Sequence, residues 1–433
     1  LKKILIISYY WPPAGGSGVQ RWLKFVKYFR KFGYEPIVYT PDNPEYMAQD
    51  PGLLSEIPSG TTIIRKKILE PYNLYKILTG KRGESIKPGF IAREAKGGKG
   101  KFTEKLSLFI RSNVFIPDPK CFWIRPSIRF LNRYLAENPV DAIISTGPPH
   151  SMHMIAKAVA KRRNIRWIAD FRDPWTKMYT FKYMNNTFLT TLLHKRMERN
   201  VVRSADAVVV VTNLMRDEFL ELGPKRIEVI TNGYDASDFE HLREEVEEKF
   251  TITYTGLFVK DRNPSVLWKI LGEMVRDIPG FRENLAIRII GHTDSSVWQE
   301  ISSNTLDNSL INMDYMPHNE VVKWQQRARV LLLAGGQEPE AKGILTGKFF
   351  EYLAARRPIL SFGPIGGDMD VALRECEAGA MFDYSDYAGA RGWIEKQYEL
   401  YKKGEIYIPS GKIENYSREG LCRRMSSLLD EII

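Results

Sequence analysis

The sequence predicts an α/β protein built from two doubly wound parallel-sheet domains. Three observations lead to that class. Short apolar runs of strand length alternate with apolar residues at helical spacing. The alternation breaks off at a charged segment, residues 240–249, and then starts again. The chain of 433 residues is also longer than one core needs, at about 150 residues per domain.

Residues 4–8 read as the first strand, followed by a glycine-bearing turn and a helix that puts Trp22, Phe25, Val26 and Phe29 on one face. Residues 36–40 form a second strand. The rhythm resumes with a strand at 142–146, a helix near 152–161, a strand at 165–170, a helix before Ser204, and strands at 207–212 and 227–230. The second set holds strands at 250–254, 285–290, 330–333 and 358–361. The expected division is therefore 1–240, with a basic insertion at about 74–125, then 241–410, then a terminal helix at 411–433. Ser417 caps that helix, and its stripe of Leu421, Met425, Leu428, Leu429 and Ile432 needs an apolar groove, one option being the amino-terminal domain.

Composition narrows the class. A hydrophobic share of 43% and a charged share of 27% describe a globular chain and exclude a disordered or collagenous one. Cys121, Cys376 and Cys422 are far apart and form no CxxC pair, so they are expected to be buried thiols in a reducing compartment. The apolar run after Lys2 and Lys3 is about four residues long, short of the roughly seven to fifteen of a secretory signal. No apolar stretch reaches the roughly 18 residues of a membrane span, so a cytoplasmic location is expected.

The net charge of +11 is concentrated. Lys76, Lys81, Arg82, Lys87, Arg93, Lys96, Lys99, Lys101, Lys105 and Arg111 face only Glu84, Glu94 and Glu104. Such a run suits nucleic acid, an anionic membrane or a phosphorylated substrate; the alternative is a solvated insertion. Few aromatics interleave with these charges and no nucleic-acid motif is present, so no nucleic-acid partner is expected.

Chemistry is expected at the carboxyl ends of strands. The loop Trp11-Pro12-Pro13-Ala14-Gly15-Gly16-Ser17-Gly18 allows a phosphate or sugar to approach backbone N–H groups at a helix start. Arg21 stands where a dinucleotide fingerprint wants its third glycine, which disfavours a nicotinamide enzyme. The alternative for this loop is a tight turn with one glycine at positive φ. Further on, a glycine-bearing turn at Thr346-Gly347 feeds a short helix on which Lys348 and Glu351 lie one turn apart. The carboxylate suits vicinal ribose hydroxyls, and the lysine with the backbone N–H groups suits phosphate; the alternative is an exposed ion pair. Asp170-Phe171-Arg172-Asp173 ends a strand, and Asp173 is a candidate general base toward an acceptor hydroxyl, with Trp11 and Arg172 as candidate acceptor contacts. The alternative is a closed network of Arg172 with the two aspartates. Asp368-Met369-Asp370 has the form of a metal-binding pair but reads better as a helix N-cap, so no obligatory metal or other cofactor is expected.

These stretches, with Val229-Ile230-Thr231-Asn232-Gly233-Tyr234-Asp235 and Tyr254-Thr255-Gly256 followed by Lys260 and Arg262, resemble the retaining glycosyltransferases of the GT-B fold, family 4, in the family's order along nearly the whole chain. The resemblance implies two Rossmann-like domains facing across a cleft. It implies a hexosyltransferase that takes a nucleotide-sugar donor to a glycan or lipid-linked acceptor in surface polysaccharide assembly. Carried over by position, Glu351 grips the donor ribose, Gly16 donates to the sugar or its phosphate, and Lys260 with Arg262 neutralises the leaving diphosphate; Gly15, Thr346, Gly347 and Lys348 complete the donor set. The family's first glutamate falls on Gly343, with Glu338 and Glu340 upstream, and His150 is the nearest counterpart of its amino-terminal histidine. A helix-start structural role for His150 is the alternative. The basic segment, with Leu106, Leu108, Phe109 and Ile110, is expected to touch an anionic inner-leaflet surface or a lipid-diphosphate acceptor. Rival readings are a nucleotide-sugar 2-epimerase of the same fold, and a non-enzymatic protein binding sugar nucleotides or nucleic acid.

Overall fold

The protein is described from a computed structural model covering residues 1–46, 48–70, 109–110, 112–178, 181, 184–239 and 244–433. Most of the basic run, with Leu106 and Leu108, lies outside the described residues. The chain divides into two compact units, one of Leu1–Thr231 with Leu421–Ile433 and one of Asn232–Gly420.

In the first unit β1 (Lys2–Ile7), β2 (Tyr34–Pro41), β3 (Thr62–Lys66), β4 (Ala142–Gly147), β5 (Arg166–Phe171), β6 (Ala207–Val210) and β7 (Ile227–Val229) form a parallel sheet ordered β3-β2-β1-β4-β5-β6-β7. Both faces are covered, which explains why the inner strands read as unbroken apolar runs. Side chains alternate between two cores along each strand. Leu5 and Ile7 enter one cluster with Ile143, Ala169 and Val208; Ile4 and Ile6 enter the other with Ile144, Ile168 and Val209. Helix Ser151–Arg163 covers the first cluster through Met152, Ile155 and Val159. Helix Ser17–Phe29 covers the second through Trp22, Phe25, Val26 and Phe29.

The terminal helix Arg418–Ile432 inserts Leu421, Met425, Leu428 and Leu429 into that second cluster. Ser417 Oγ accepts from Gly420 N at 3.0 Å and so caps its start. Each of these buried side chains contributes roughly 1.5–3 kcal/mol by leaving water.

The second unit repeats the plan with six parallel strands, β8 (Phe250–Thr255), β9 (Leu285–Ile290), β10 (Leu310–Met313), β11 (Val330–Ala334), β12 (Ile359–Phe362) and β13 (Gly379–Phe382), ordered β10-β9-β8-β11-β12-β13. Leu331, Leu333 and Ile359 face one core; Val330, Leu332 and Leu360 face the other. In each sheet the winding reverses beside the first strand of the unit, β1 or β8. Such reversals open a crevice beyond the strand ends, where ligands of doubly wound folds gather.

The N-cap expected at Asp368-Met369-Asp370 needs correction. Gly367 occupies the N-cap of helix Asp368–Glu375, so Asp368 and Asp370 sit inside the first turn instead of capping it, and Asp370 Oδ2 accepts from Gly366 N at 2.7 Å. Carboxylates there suit the positive end of the helix dipole. Among the described residues no cluster of three His, Cys, Asp or Glu is arranged to hold a metal, no disulfide forms, and no helix is long and apolar enough to cross a membrane.

Candidate active site

Beyond β8 the chain turns at Gly256, whose φ is +91°. The positive φ favours glycine, and a Cβ there would stand 2.8 Å from Cε of the flexible Lys348 side chain, which would have to shift. The chain then makes a single turn, Lys260–Arg262, with Lys260 exposed and Arg262 half-buried. Trp268 Nε1 donates to Asn263 Oδ1 at 2.6 Å and fixes the exit of this turn. Tyr384 Oη donates to Gly335 O at 2.8 Å and to Arg262 O at 3.4 Å, which links the loop after β8 to the loop after β11.

The loop after β11 leads into helix Gly347–Ala355. Thr346 is its N-cap residue, but no side chain caps the helix and no acid lies in its first turn. The buried Thr346 Oγ1 has no hydrogen-bond partner among the described residues, and a Cβ on Gly347 would meet nothing within 4 Å. Unpaired N–H groups and the helix dipole make such an end receptive to an anion.

Lys348 Nζ donates to Tyr254 Oη at 2.7 Å and lies 4.1 Å from the centre of that ring. Burial, helped by the Arg262 charge and opposed by Glu351, brings its pKa down to about 7. One turn on, Glu351 Oε1 lies 3.1 Å from His318 Nε2 and Oε2 accepts from Gln325 Nε2 at 2.9 Å. Burial alone would raise the Glu351 pKa. The hydrogen bonds from His318 and Gln325, with the charges of His318 and Lys348, outweigh it and hold the group below its ordinary value. Both partners come from helix His318–Arg327, seven positions apart on one face. Gln325 is fully buried and its amide also reaches Thr255 Oγ1 at 3.3 Å. Glu338 and Glu340 are exposed, at and just inside the start of the turn Pro339–Gly343, and Gly343 ends it.

In the first unit Gly15 N is used by Ala48 O at 2.9 Å. Gly16, at φ +87°, is the N-cap of helix Ser17–Phe29, which has no side-chain cap and no acid in its first turn, and the space where its Cβ would stand is empty. Trp11 does not face an acceptor: it is 0% exposed and belongs to the apolar cluster under that helix. Arg172 is likewise occupied, with Nη1 donating to Gly18 O at 2.8 Å and Nη2 to Pro148 O, so it joins the loops after β1 and β4.

The anticipated network of Arg172 with two aspartates does not form. Asp170 instead pairs with Arg21 at 2.8 Å, both side chains being 0% exposed, and also accepts from Trp22 Nε1 and Thr146 Oγ1 at 2.9 Å each. Arg21 completes its donors on Ile230 O and Thr231 O. Asp173 is half-buried, and burial, opposed by Arg172, raises its pKa. His150 is buried and stacks on Trp175 with ring centres 4.3 Å apart. Burial, then the charges of His153, His194 and Arg172, put its pKa well below the usual histidine value, so the ring is neutral at physiological pH. The N-terminus of its helix is already filled by Asp118, which accepts from Ser151 N and Oγ at 2.8 Å each.

Residues 90–238 match the family profile described as Glycosyltransferase Family 4. Among solved structures the chain is similar to sucrose-phosphate synthase from Thermosynechococcus elongatus, with 12% identity, a TM-score of 0.56, and coverage of 100% of this chain and 99% of that one. It is similar to S. aureus TarM, in a complex with fondaparinux, alpha-GlcNAc-glycerol and UDP, with 10% identity, a TM-score of 0.54, and coverage of 99% and 100%. It is also similar to Anabaena HepE in complex with UDP-glucose, with 10% identity, a TM-score of 0.53, and coverage of 100% of both chains. No curated protein sequence matches.

The chain has the GT-B fold, and residues 90–238 within it are similar to Glycosyltransferase Family 4.

The profile match spans His150, Arg172 and Asp173 but stops short of Lys260 and Glu351. The case for the second unit therefore rests on its geometry. That geometry brings Gly256, Lys348 and Glu351 together, with the Lys260–Arg262 turn following on from Gly256. It adds Tyr254, which the sequence reading placed in the Tyr254-Thr255-Gly256 strand end without a role, and two groups that it missed, His318 and Gln325, for which the sequence carried no signal.

Proposed function

We propose that this protein is a glycosyltransferase that works in the cytoplasm on surface polysaccharide, moving a hexose from a nucleoside-diphosphate donor to a glycan or lipid-linked acceptor with retention of anomeric configuration. The observation that carries the reading is the start of helix Gly347–Ala355. An uncapped helix end, a half-buried lysine and an ionised carboxylate follow one another within five residues. The N–H groups and Lys348 receive the diphosphate, and Glu351 accepts from the two ribose hydroxyls. Uridine nucleotides are the first to try, because TarM and HepE are complexes with UDP and UDP-glucose.

In the reaction the bond from the sugar's anomeric carbon to the diphosphate oxygen breaks, leaving negative charge on the diphosphate. Lys260 and Arg262, with Lys348 in its protonated form, offset that charge, which is why no metal is invoked. The acceptor oxygen bonds to the same carbon from the same face, and its proton passes to a donor phosphate oxygen. Gly16 supplies a backbone donor at the start of helix Ser17–Phe29 for the sugar or its phosphate. On the acceptor side Asp173 is a second candidate base, since its raised pKa suits it to hold a proton, and His150 offers a neutral imidazole in the same unit.

A screen of nucleotide sugars for thermal stabilisation tests this. A ligand at a hundred times its dissociation constant adds about 2.7 kcal/mol to the stability of the fold that binds it. One nucleotide should stabilise the parent and leave Glu351→Ala unshifted; no hit at all, or a hit that survives the substitution, defeats the proposal. Turnover that is lost in EDTA and restored by Mn²⁺ defeats its metal-free part. Product analysis without acceptor separates transfer from 2-epimerisation, which would release an epimer.

A further inference from the structure

The first unit bears an exposed apolar face for which the transfer reaction has no use. One side of helix Phe188–Ser204 is anchored, with Thr190, His194, Glu198, Val201 and Val202 buried. Trp175 Nε1 donates to His194 Nδ1 at 3.1 Å, and Glu198 accepts from Thr176 N at 3.1 Å. The opposite side begins with Phe188, Leu189, Leu192 and Leu193, exposed by 80%, 74%, 54% and 43%. Farther along the same side stand Lys195, Arg196 and Arg199, all exposed and without an ion pair among the described residues. The helix's one acid, Glu198, is on the buried side.

A second exposed group joins this end. Asn113 Oδ1 accepts from Thr187 N at 2.8 Å, and Asn113 Nδ2 donates to Asn185 O at 2.8 Å and Phe109 O at 2.9 Å. These bonds hold the turn carrying Phe109, Ile110 and Val114, exposed by 42%, 40% and 61%, against the helix start.

We infer that this face docks the protein on an anionic lipid bilayer. The apolar first turns of helix Phe188–Ser204, with the tethered turn beside them, enter the boundary of the acyl chains, and Lys195, Arg196 and Arg199 lie on the phosphate headgroups. An apolar tip backed by cations, with no acid on the same side, is complementary to that interface. A second copy of the chain fits poorly, because pairing the face with itself would bring the same cations together. A nucleic acid would leave the apolar tip in water. The inference does not depend on the transfer reaction.

The test is co-sedimentation of the full chain with vesicles of phosphatidylglycerol and phosphatidylcholine, and with phosphatidylcholine alone. The parent should bind the anionic vesicles at about 0.1 M salt and lose several-fold in binding at about 1 M, as the Debye length falls from about 10 Å to about 3 Å. Leu189→Glu with Leu192→Glu should lower binding at least about tenfold. Lys195→Gln, Arg196→Gln and Arg199→Gln together should lower it by about fivefold for each charge removed, while leaving the apolar tip intact. Both variants should keep the parent's thermal stabilisation by a nucleotide sugar, so a failed donor screen and a failed docking test stay distinct. A parent that stays in the supernatant with anionic vesicles, or variants that sediment like the parent, would overturn the inference. So would a parent that ignores vesicles but dimerises through residues 189 and 192.

Discussion

Beyond β5 and β4 in the first unit, most polar groups are paired with one another. Asp170 is closed by Arg21, Trp22 and Thr146, and Arg172 is held by two carbonyls. The start of helix Ser151–Arg163 is filled by Asp118. Beyond β8 and β11 in the second unit, the helix start is uncapped, and among the described residues Thr346 Oγ1 lacks a partner and Lys348 donates only to a phenol and a carbonyl. The two sheets have the same winding, so topology does not cause the difference. It lies in which side chains the sequence sets at equivalent strand ends: the first unit pairs Asp170 with Arg21 and holds Arg172 on carbonyls, while leaving His150 Nδ1 and Arg172 Nε without a partner among the described residues, and the second leaves Lys348 in the first turn of an open helix end. The start of helix Ser17–Phe29 is the first unit's exception, being likewise uncapped.

If the first unit's network is structural, breaking it should give the largest effect of all. Arg21→Met leaves the Asp170 carboxylate buried without its partner, a change that costs about 3–5 kcal/mol. Denaturant unfolding should register that loss, and the double variant Arg21→Met with Asp170→Leu should recover part of it. A loss below about 1 kcal/mol for the single variant would mean that the contrast between the units has been misread.

The next effect sharpens the contrast from the other side. Lys348→Met should weaken donor binding by the worth of one charged hydrogen bond, about 1.5–3 kcal/mol, or about ten- to a hundredfold. The same change should make the protein more stable near neutral pH. A lysine whose pKa is depressed from 10.5 to about 7 binds more protons unfolded than folded between those values. Stability therefore rises with pH across that window, and below about pH 7 the fold carries the full cost of a buried cation. Donor affinity should run the opposite way, falling as pH rises through about 7 and the ammonium is lost. Calorimetric titration across this range, on the parent and on the variant, reads both; a pH-independent parent would remove Lys348 from the phosphate contacts.

What the sequence revealed follows from burial. The inner strands β1, β4, β5, β6, β8 and β11 have both faces covered and stand out as apolar runs. The unrecognised strands β3, β10 and β13 are all sheet edges, half-exposed and compositionally ordinary. The fourth edge, β7, was legible because Ile227, Val229 and Ile230 keep an apolar run. Lys348 and Glu351 were found because they share one helix at a spacing that pairs side chains. Arg21 looked like no more than a missing glycine, since its partner Asp170 is 149 positions away. Trp11, in a glycine-bearing loop, had the look of a sugar platform, yet sequence does not say on which side of a loop the core lies.

The smallest effect concerns the pair that holds Glu351, and it tests whether burial ranks the two partners. His318 and Gln325 both touch the carboxylate, at 3.1 and 2.9 Å, but the His318 side chain is 61% exposed and Gln325 is fully buried. Water can replace an exposed partner, so His318→Ala should cost at most about 1 kcal/mol of donor affinity, less than about fivefold. Gln325→Ala removes a bond that water does not readily reach and takes the donor from one carboxylate oxygen, while Thr255 Oγ1 keeps its contact with Tyr352 Oη at 3.2 Å. Its cost should be about 1–3 kcal/mol, appearing as weaker donor binding with the rate at saturating donor little changed. Equal losses for the two variants would mean that the crevice around Glu351 is wetter than its geometry indicates, with solvent rather than the amide fixing the carboxylate.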